Sequence, residues 1–260
     1  MSTHVNGVEV SLDNGILRVI INRAERMNAV TTESLEAIAD TFEKYAGDSS
    51  VQAGILSGSG RAFCTGADLS TMPEFAEGQA VTLDAANRCV DAIRLFPRPV
   101  VAAVNGPALG VGVSLALACD LTVATESSYF LLSFTKVGLM PDGGTTALVA
   151  ASIGRARAMK MALLAERLTA RDALESGLIC AVYPDEDFVN GVRTLARRVA
   201  SGPSEALHAT KSAINDATLT ELSSALTREK RWQLELLATA DYTEGVAAFL
   251  EKRAAVFATS

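Results

Sequence analysis

The sequence predicts an α/β fold followed by a helical C-terminal region. Apolar runs of strand length alternate with helix-like patterns as far as Tyr183, and glycine-bearing loops separate them. From Glu186 onward the apolar spacing is helical, and no strand signal interrupts it. With 260 residues, of which 49% are hydrophobic, the chain can bury one sizeable core together with an appended region.

The first elements expected are a β-hairpin, a helix and a buried strand. The strand-like segments VEVSL and ILRVII flank Asp13-Asn14-Gly15, and Asn-Gly is a strong signal for a two-residue hairpin turn. Thr32 precedes the helical pattern ESLEAIADTFEKY and is the expected start of that helix. The short apolar run AGILSG then predicts a strand.

The alternation continues after this strand. Periodicity predicts a helix from about Thr82 to Phe96, followed by the strand PVVAAVNG and the helix GVSLALAC. Strands are expected at DLTVAT and SYFLL, and Gly154 is expected to separate two further helices. A short helix capped at Gly177 then leads into a last strand.

A boundary is expected near Ser201-Gly202-Pro203. It divides a core, residues 1–200, from a C-terminal helical region, residues 201–260. The helices of that region carry apolar faces too large to leave bare, so they must pack on the core or on another subunit.

Composition excludes several classes of function. The formal net charge of −7, with no basic stripe, argues against a nucleic-acid or anionic membrane surface. The 4 cysteines lack CxxC spacing, which favours reduced packing residues in a cytoplasmic protein. No signal peptide or membrane span is apparent. The 2 histidines lie far apart, so no metal site is expected.

Two glycine-bearing segments carry the remaining chemical signal. They are GRAFCTGADL and PALGVGVSLALACD, and each follows a strand-like run and precedes a helix. Backbone N–H groups that converge from two such loops can bind a developing negative oxygen, and a helix N-terminus adds its dipole. The motifs of serine hydrolases, dinucleotide-binding folds and phosphate-binding loops are incomplete or absent.

Five motifs follow one another along the chain: NRAERMNAV, GRAFCTGADLS, PVVAAVNGPALGVGVSLALACDLTVAT, KVGLMPDGGTT and EGVAAFLEKRAAVF. In this order they resemble the signatures of the crotonase superfamily, which contains enoyl-CoA hydratases and isomerases. The resemblance implies a spiral of repeated ββα units and a C-terminal helical region that forms trimers, often paired into hexamers. It also implies an acyl-CoA thioester substrate, of which coenzyme A is a part, and no separate cofactor.

The resemblance implies a set of site residues. The two oxyanion N–H donors correspond to Ala67 and Val111, and the second position is glycine in many members. Lys252 resembles a lysine that reaches the coenzyme A of a neighbouring subunit, and Asp68 could instead brace its own loop. The further substrate-binding positions are Arg61, Thr65, Asp68, Leu69, Gly110 and Lys252.

The chain departs from the hydratase pattern at both catalytic glutamates. The corresponding positions hold Ser114 and Phe134, whereas a carboxylate is present at Asp142 in GLMPDGG. In isomerase-like and dehalogenase-like branches an acidic residue there faces the acyl group, which predicts an enoyl-CoA isomerase with Asp142 as proton shuttle. Desolvation by Leu139 and Met140 is expected to raise its pKa.

Four alternatives remain open at this stage. Asp142 could cap a helix that begins at Gly143, which is a common role for aspartate. The protein could be a hydratase in which Asp142 alone activates water. It could be a CoA-ester-binding subunit with little catalysis, or Asp142 could act as a nucleophile on an aromatic acyl group.

Overall fold

The computed structural model describes residues 2–72 and 76–257. Within these residues the strands in chain order are β1 (Ser2–Val5), β2 (Val8–Asp13), β3 (Ile16–Ile21), β4 (Ala53–Gly58), β5 (Val100–Val104), β6 (Ala108–Leu109), β7 (Leu121–Thr125), β8 (Tyr129–Leu131), β9 (Leu168–Thr169) and β10 (Ala181–Tyr183). A seven-stranded sheet has the order β1-β2-β3-β4-β5-β7-β10, and a three-stranded sheet has the order β6-β8-β9. From β3 to β10 the neighbours in the larger sheet run parallel.

The helices connect these strands and then follow them. They are α1 (Thr32–Tyr45), α2 (Ala76–Leu95), α3 (Val111–Ala118), α4 (Thr145–Leu164), α5 (Ala170–Ser176), α6 (Phe188–Ala200), α7 (Ser204–Thr218), α8 (Leu222–Leu237) and α9 (Ala240–Glu251). Short 3-10 helices span Ala24–Arg26 and Phe134–Val137. This order of elements confirms the α/β fold with a helical C-terminal region.

The predicted hairpin is β2–β3. Asn14 (φ 50°) and Gly15 (φ 76°) form the two-residue turn, and Asp13 pairs with Ile16. Both turn residues are left-handed, as a type I′ turn requires. The sequence does not predict β1, β6 or β9. Every residue of β1 is exposed, and β6 and β9 have only two residues each, so no alternation of apolar residues marks them.

Two helix starts differ from the predictions. Thr31, rather than Thr32, caps α1, since its side chain accepts the N–H of Ser34. Helix α2 begins at Ala76 instead of near Thr82, because its first turns carry few apolar residues and periodicity does not register them. The expected break in α4 is confirmed at Gly154, whose φ and ψ of 75° and 160° are not helical.

Both faces of the larger sheet are covered. Alternate residues of a strand point to opposite faces: Leu17 and Val19 join the main core, whereas Ile16 joins a second cluster with Phe188 and Val192 of α6. Helix α6 therefore packs on the sheet, on the core side of the boundary expected near residue 201. The division at that boundary stays a prediction.

The C-terminal helices pack on the core. Helix α8 contacts α2 and α4, and α9 contacts the 3-10 helix Phe134–Val137. The approach of α9 is close, since a Cβ placed on Gly245 would lie 2.5 Å from the Cα of Val137. Only glycine allows this backbone-to-backbone contact.

A buried ion pair fastens α7. The Nζ of Lys211 donates to Oδ2 of Asp120 at 2.9 Å, and the two side chains are only 7% and 17% exposed. The same carboxylate oxygen accepts the N–H of Val100 at the start of β5. Burial raises the pKa of Asp120, and the neighbouring Lys211 ammonium opposes this rise.

We expect Lys211→Met to lower the free energy of unfolding by about 3 kcal/mol, because it leaves the Asp120 carboxylate buried without its cation. Lys230→Met is the matched control: its partner Asp84 is 61% exposed, so the loss should stay below about 1 kcal/mol. Denaturant titration of both variants measures the difference. Equal losses would show that the Lys211 pair does not fasten α7.

Candidate active site

A cavity of about 550 Å³ lies beside the start of α3. Its walls come from the segments around residues 65–72, 109–111 and 131–142, and from α2, α8 and α9, and most of its lining residues are apolar. The predicted site residues that line it are Thr65, Ala67, Asp68, Leu69, Gly110, Val111 and Asp142.

The two glycine-bearing loops touch through their backbones. The N–H of Leu109 donates to the carbonyl of Cys64 at 2.8 Å. A Cβ placed on Gly112 would lie 2.3 Å from that same carbonyl oxygen, so no other residue fits there without moving the backbone. This contact holds the start of α3 against the loop that carries Ala67.

The N–H groups of Ala67 and Val111 have no acceptor among residues 2–72 and 76–257. Ala67 forms a bridge to Val30 in which the N–H of Asp68 and the carbonyl of Gly66 are used, so the N–H of Ala67 points the other way. Val111 is the first residue of α3, where an N–H has no intrahelical partner. Both N–H groups can therefore donate to an oxygen atom placed in the cavity.

Asp68 braces the first of these loops. Its Oδ2 accepts Nη2 of Arg23 at 2.9 Å, and its Oδ1 accepts the N–H and hydroxyl of Ser70. Burial raises its pKa, but the bonds from Ser70 and Arg23 outweigh burial and hold the pKa below its usual value. Asp68 is thus an ionised structural brace, and a direct contact with substrate stays a prediction.

Asp142 lies in the cavity wall as a desolvated carboxylate. It is 9% exposed, and its Oδ2 accepts Nε2 of Gln233 at 2.7 Å. Burial raises the pKa of Asp142 to about 7; the Gln233 bond acts against this rise and the Glu229 charge adds to it. A carboxyl group with this pKa can both take and return a proton near neutral pH.

Asp142 does not cap helix α4, so the capping alternative is wrong for its side chain. Helix α4 begins at Thr145, beyond the Gly143 start that the capping alternative assumed. Its cap comes from α8: Oε2 of Glu229 accepts the N–H of Gly144 at 2.7 Å, and Oε1 accepts the N–H of Thr146 at 3.0 Å.

The two positions that hold glutamate in hydratases have different surroundings here. Ser114 is fully buried, does not line the cavity, and donates its hydroxyl to the carbonyl of Asp142 at 3.2 Å. Phe134 lines the cavity as an apolar wall. Among the described lining residues, the carboxylates are therefore Asp68 and Asp142.

Two predicted residues lie outside the cavity lining. Arg61 is exposed and directs its Nε at the sulfur of Met27. The neighbouring Thr65, which does line the cavity, donates to the Met27 carbonyl at 3.1 Å. Lys252 ends α9 in the left-handed conformation and is exposed. Their contacts with coenzyme A stay predictions.

Sequence reasoning missed several residues of the site. Arg26 and Lys136 are exposed cations in the cavity wall, and Gln233 contacts Asp142 from α8. One pattern in the sequence could have revealed Gln233. The polar residues Glu229 and Gln233 lie four positions apart on the otherwise apolar face of α8.

Two further expectations concern absences. In the described ranges, no cluster of three or more histidine, cysteine or acidic side chains is arranged to hold a metal ion. No helix in those ranges is long and apolar enough to cross a membrane. The cytoplasmic location stays a prediction.

A sequence profile described as enoyl-CoA hydratase/isomerase matches residues 11–260. The chain belongs to this family. It is an enzyme family that acts on acyl-CoA thioesters, and the membership confirms the resemblance to the crotonase superfamily. The family contains both hydratases and isomerases, so membership alone does not identify which of the two reactions this chain catalyses.

Individual relatives carry names of both kinds. A probable enoyl-CoA hydratase of Rhodobacter capsulatus is 41% identical over 97% of each chain. The 1,2-epoxyphenylacetyl-CoA isomerase of Escherichia coli is 38% identical over 95% of this chain and 96% of its own. The crystal structure of an enoyl-CoA hydratase from Mycobacterium avium subsp. paratuberculosis superimposes with a TM-score of 0.92 at 47% identity, covering 98% of this chain and 100% of that one. This likeness confirms the crotonase fold.

We expect Asp142→Asn to stabilise the protein at pH 8 and not at pH 4. The carboxyl pKa is about 7 in the folded protein, against about 3.9 when unfolded. Its contribution to stability is therefore full below pH 4 and is lost as the pH rises through about 7. The gain at pH 8 is at most about 4 kcal/mol, from three pKa units of about 1.4 kcal/mol each.

Denaturant titrations between pH 4 and 8 measure this dependence. Asp48→Asn is a control of opposite sign, because hydrogen bonds from Ser50 lower the pKa of that exposed carboxyl. Asp48→Asn should be less stable than the wild-type protein at neutral pH and equally stable in acid. A pH-independent effect of Asp142→Asn would contradict the raised pKa.

Proposed function

We propose that this enzyme moves the double bond of an enoyl-CoA thioester. Asp142 is the proton shuttle, and the N–H groups of Ala67 and Val111 bind the thioester oxygen. The observation that carries the proposal is the contrast between the cavity carboxylates: Asp68 is ion-paired, whereas Asp142 is desolvated, has only a neutral donor, and has a pKa of about 7.

The reaction balances without any other reagent. The ionised carboxylate of Asp142 takes a proton from C2 of a 3-enoyl thioester, and the C–H electron pair moves into the thioester to form a dienolate. The two N–H groups stabilise the negative oxygen of that intermediate, each by about 3–4 kcal/mol. The protonated carboxyl then returns its proton at C4, which leaves the double bond between C2 and C3.

The remaining cavity chemistry suits an acyl-CoA. Its walls are largely apolar, including Leu83, Phe134 and Leu139, and can hold an acyl group away from water. Arg26 and Lys136 add positive charge at the same cavity, which suits the phosphates of coenzyme A. The Escherichia coli relative that is named an isomerase also supports a rearrangement within a CoA thioester.

Hydration of a 2-enoyl-CoA is the second candidate. It is favoured by names such as 2,3-dehydroadipyl-CoA hydratase for a relative 36% identical over 94% of this chain. Against it, Ser114 and Phe134 supply no acid/base pair for water. A water activated by Asp142 alone would lack the second carboxyl group.

We expect Asp142→Asn to lower kcat for double-bond migration by at least about 10²-fold, because the proton carrier is removed. Binding of a CoA thioester should change little, since the N–H donors and the cavity walls remain. Spectroscopic assay with 3-enoyl-CoA and calorimetric titration measure the two quantities. Retained turnover would contradict the assignment of Asp142.

The same samples separate the alternatives. With 2-enoyl-CoA, formation of 3-hydroxyacyl-CoA would identify a hydratase. Tight binding without turnover across a panel of acyl groups would identify a binding subunit. An acyl-aspartate adduct at Asp142, sought by mass spectrometry, would identify nucleophilic catalysis.

The oxyanion N–H of Val111 can be removed while its place in the helix is kept. Proline is accepted at the first residue of a helix, which is where Val111 lies in α3. We expect Val111→Pro to lower kcat by about 10²–10³-fold. Val111→Ala, which keeps the N–H, is the control, and circular dichroism checks the fold. Equal activity of the two variants would exclude this N–H as a donor.

A further inference from the structure

Helix α8 presents two buried polar residues one turn apart to the segment that carries Asp142. Glu229 and Gln233 are each 1% exposed and lie on the same face as Leu226 and Leu237. Polar groups on such a face are costly to bury unless they form hydrogen bonds. Glu229 uses both of its oxygens to cap α4, and Gln233 turns toward Asp142.

The backbone of Met140 fixes the orientation of the Gln233 amide. The N–H of Met140 donates to Oε1 of Gln233 at 3.2 Å, and Nε2 donates to the Met140 carbonyl at 3.0 Å. A flipped amide would place oxygen against that carbonyl and nitrogen against that N–H. The group that faces Asp142 at 2.7 Å is therefore Nε2, which can only donate.

A donor in this place distinguishes the two oxygens of the Asp142 carboxyl group. Oδ2 must accept from Gln233 in both protonation states. A proton on Oδ2 would point at the Nε2–H, and the two hydrogens would repel each other. Oδ1 has no hydrogen bond with the described residues. The proton taken up by the carboxyl group therefore belongs on Oδ1.

We propose that Gln233 is a positioning residue that reserves Oδ1 of Asp142 for proton transfer and stabilises the ionised carboxylate through its hydrogen bond to Oδ2. This inference rests on the proposed function, because it assigns an oxygen to the same proton shuttle. It also makes α8, a helix of the C-terminal part of the chain, a working part of the site.

The charges around the carboxylate set the expected direction of each substitution. Glu229 on α8 raises the pKa of Asp142, while the Gln233 bond lowers it. The other charged residues that line the cavity are Arg26, Lys136 on the 3-10 helix, and Asp68, whose carboxylate is paired with Arg23. Removal of the Gln233 donor and neutralisation of Glu229 should thus act in opposite directions.

The test compares Gln233→Met with Glu229→Gln in the full-length protein. Methionine keeps the length of the side chain and removes the donor, so the titration of Asp142 should move up by about one pH unit. Glu229→Gln removes a negative charge and should move that titration down. ¹³C NMR of labelled aspartate carboxyl carbons, assigned with Asp142→Asn, follows the titration in the protein without substrate.

Turnover gives the second readout. For Gln233→Met the pKa that defines the acidic limb of the kcat/KM profile should rise by the same amount. At pH 7 kcat should fall about fivefold, since a pKa that rises from about 7 to about 8 lowers the ionised fraction from about one half to about one eleventh. KM should change less than about twofold. Leu226→Met, on the same face of α8, is the packing control and should leave titration and turnover unchanged.

Two results would overturn the inference. One is an unchanged Asp142 titration in Gln233→Met; the other is a shift in the same direction for Gln233→Met and Glu229→Gln. If Gln233→Met does not fold, Gln233→Asn, whose shorter amide cannot reach Asp142, replaces it with the same expected direction. If Asp142→Asn retains isomerase turnover while the opposite shifts are found, the proposed function fails and the Gln233 contact stands.

Discussion

The burial of one carboxylate against a neutral amide is the interaction on which the proposed chemistry of this site depends. Asp142 is removed from water by the cavity wall and by α8, and within the described residues its side chain bonds only to Gln233. An arginine or lysine in that place would hold the group ionised, as Arg23 does for Asp68. The neutral partner instead leaves both protonation states accessible near pH 7.

The second requirement is the fixed distance between two loops. The proposed oxyanion pair consists of main-chain groups, so its geometry depends on how closely the loops pack and not on any rotamer. Gly112 against the carbonyl of Cys64 sets that distance, and the Arg23–Asp68 pair stabilises the loop on the other side. The hydrogen-bond donors are thus held in place before any substrate arrives, which is the condition for strong transition-state stabilisation.

Local patterns in the sequence predicted most of the fold and part of the site. The Asn14-Gly15 turn, the strands of the larger sheet from β2 onward and the loops around Ala67 and Val111 have strong local signals, so they could be located before any coordinates. Gln233 could not, because its role depends on a contact across 91 positions of the chain, and a glutamine within a helix usually faces solvent. Strand β1 carried no signal, since all of its residues are exposed and its pairing with β2 runs along the backbone.

The environment of Ser114 bears on how this lineage can change its chemistry. Its hydroxyl lies 2.7 Å from the point where a Cβ on Gly143 would stand, and it holds the Asp142 carbonyl. Ser114 is fully buried, and a glutamate at residue 114 would add three heavy atoms there and remove the hydroxyl that holds the Asp142 carbonyl. Residue 114 and the segment that carries Asp142 are therefore coupled through a hydrogen bond, so a change toward the paired-glutamate arrangement also alters the support of the aspartate.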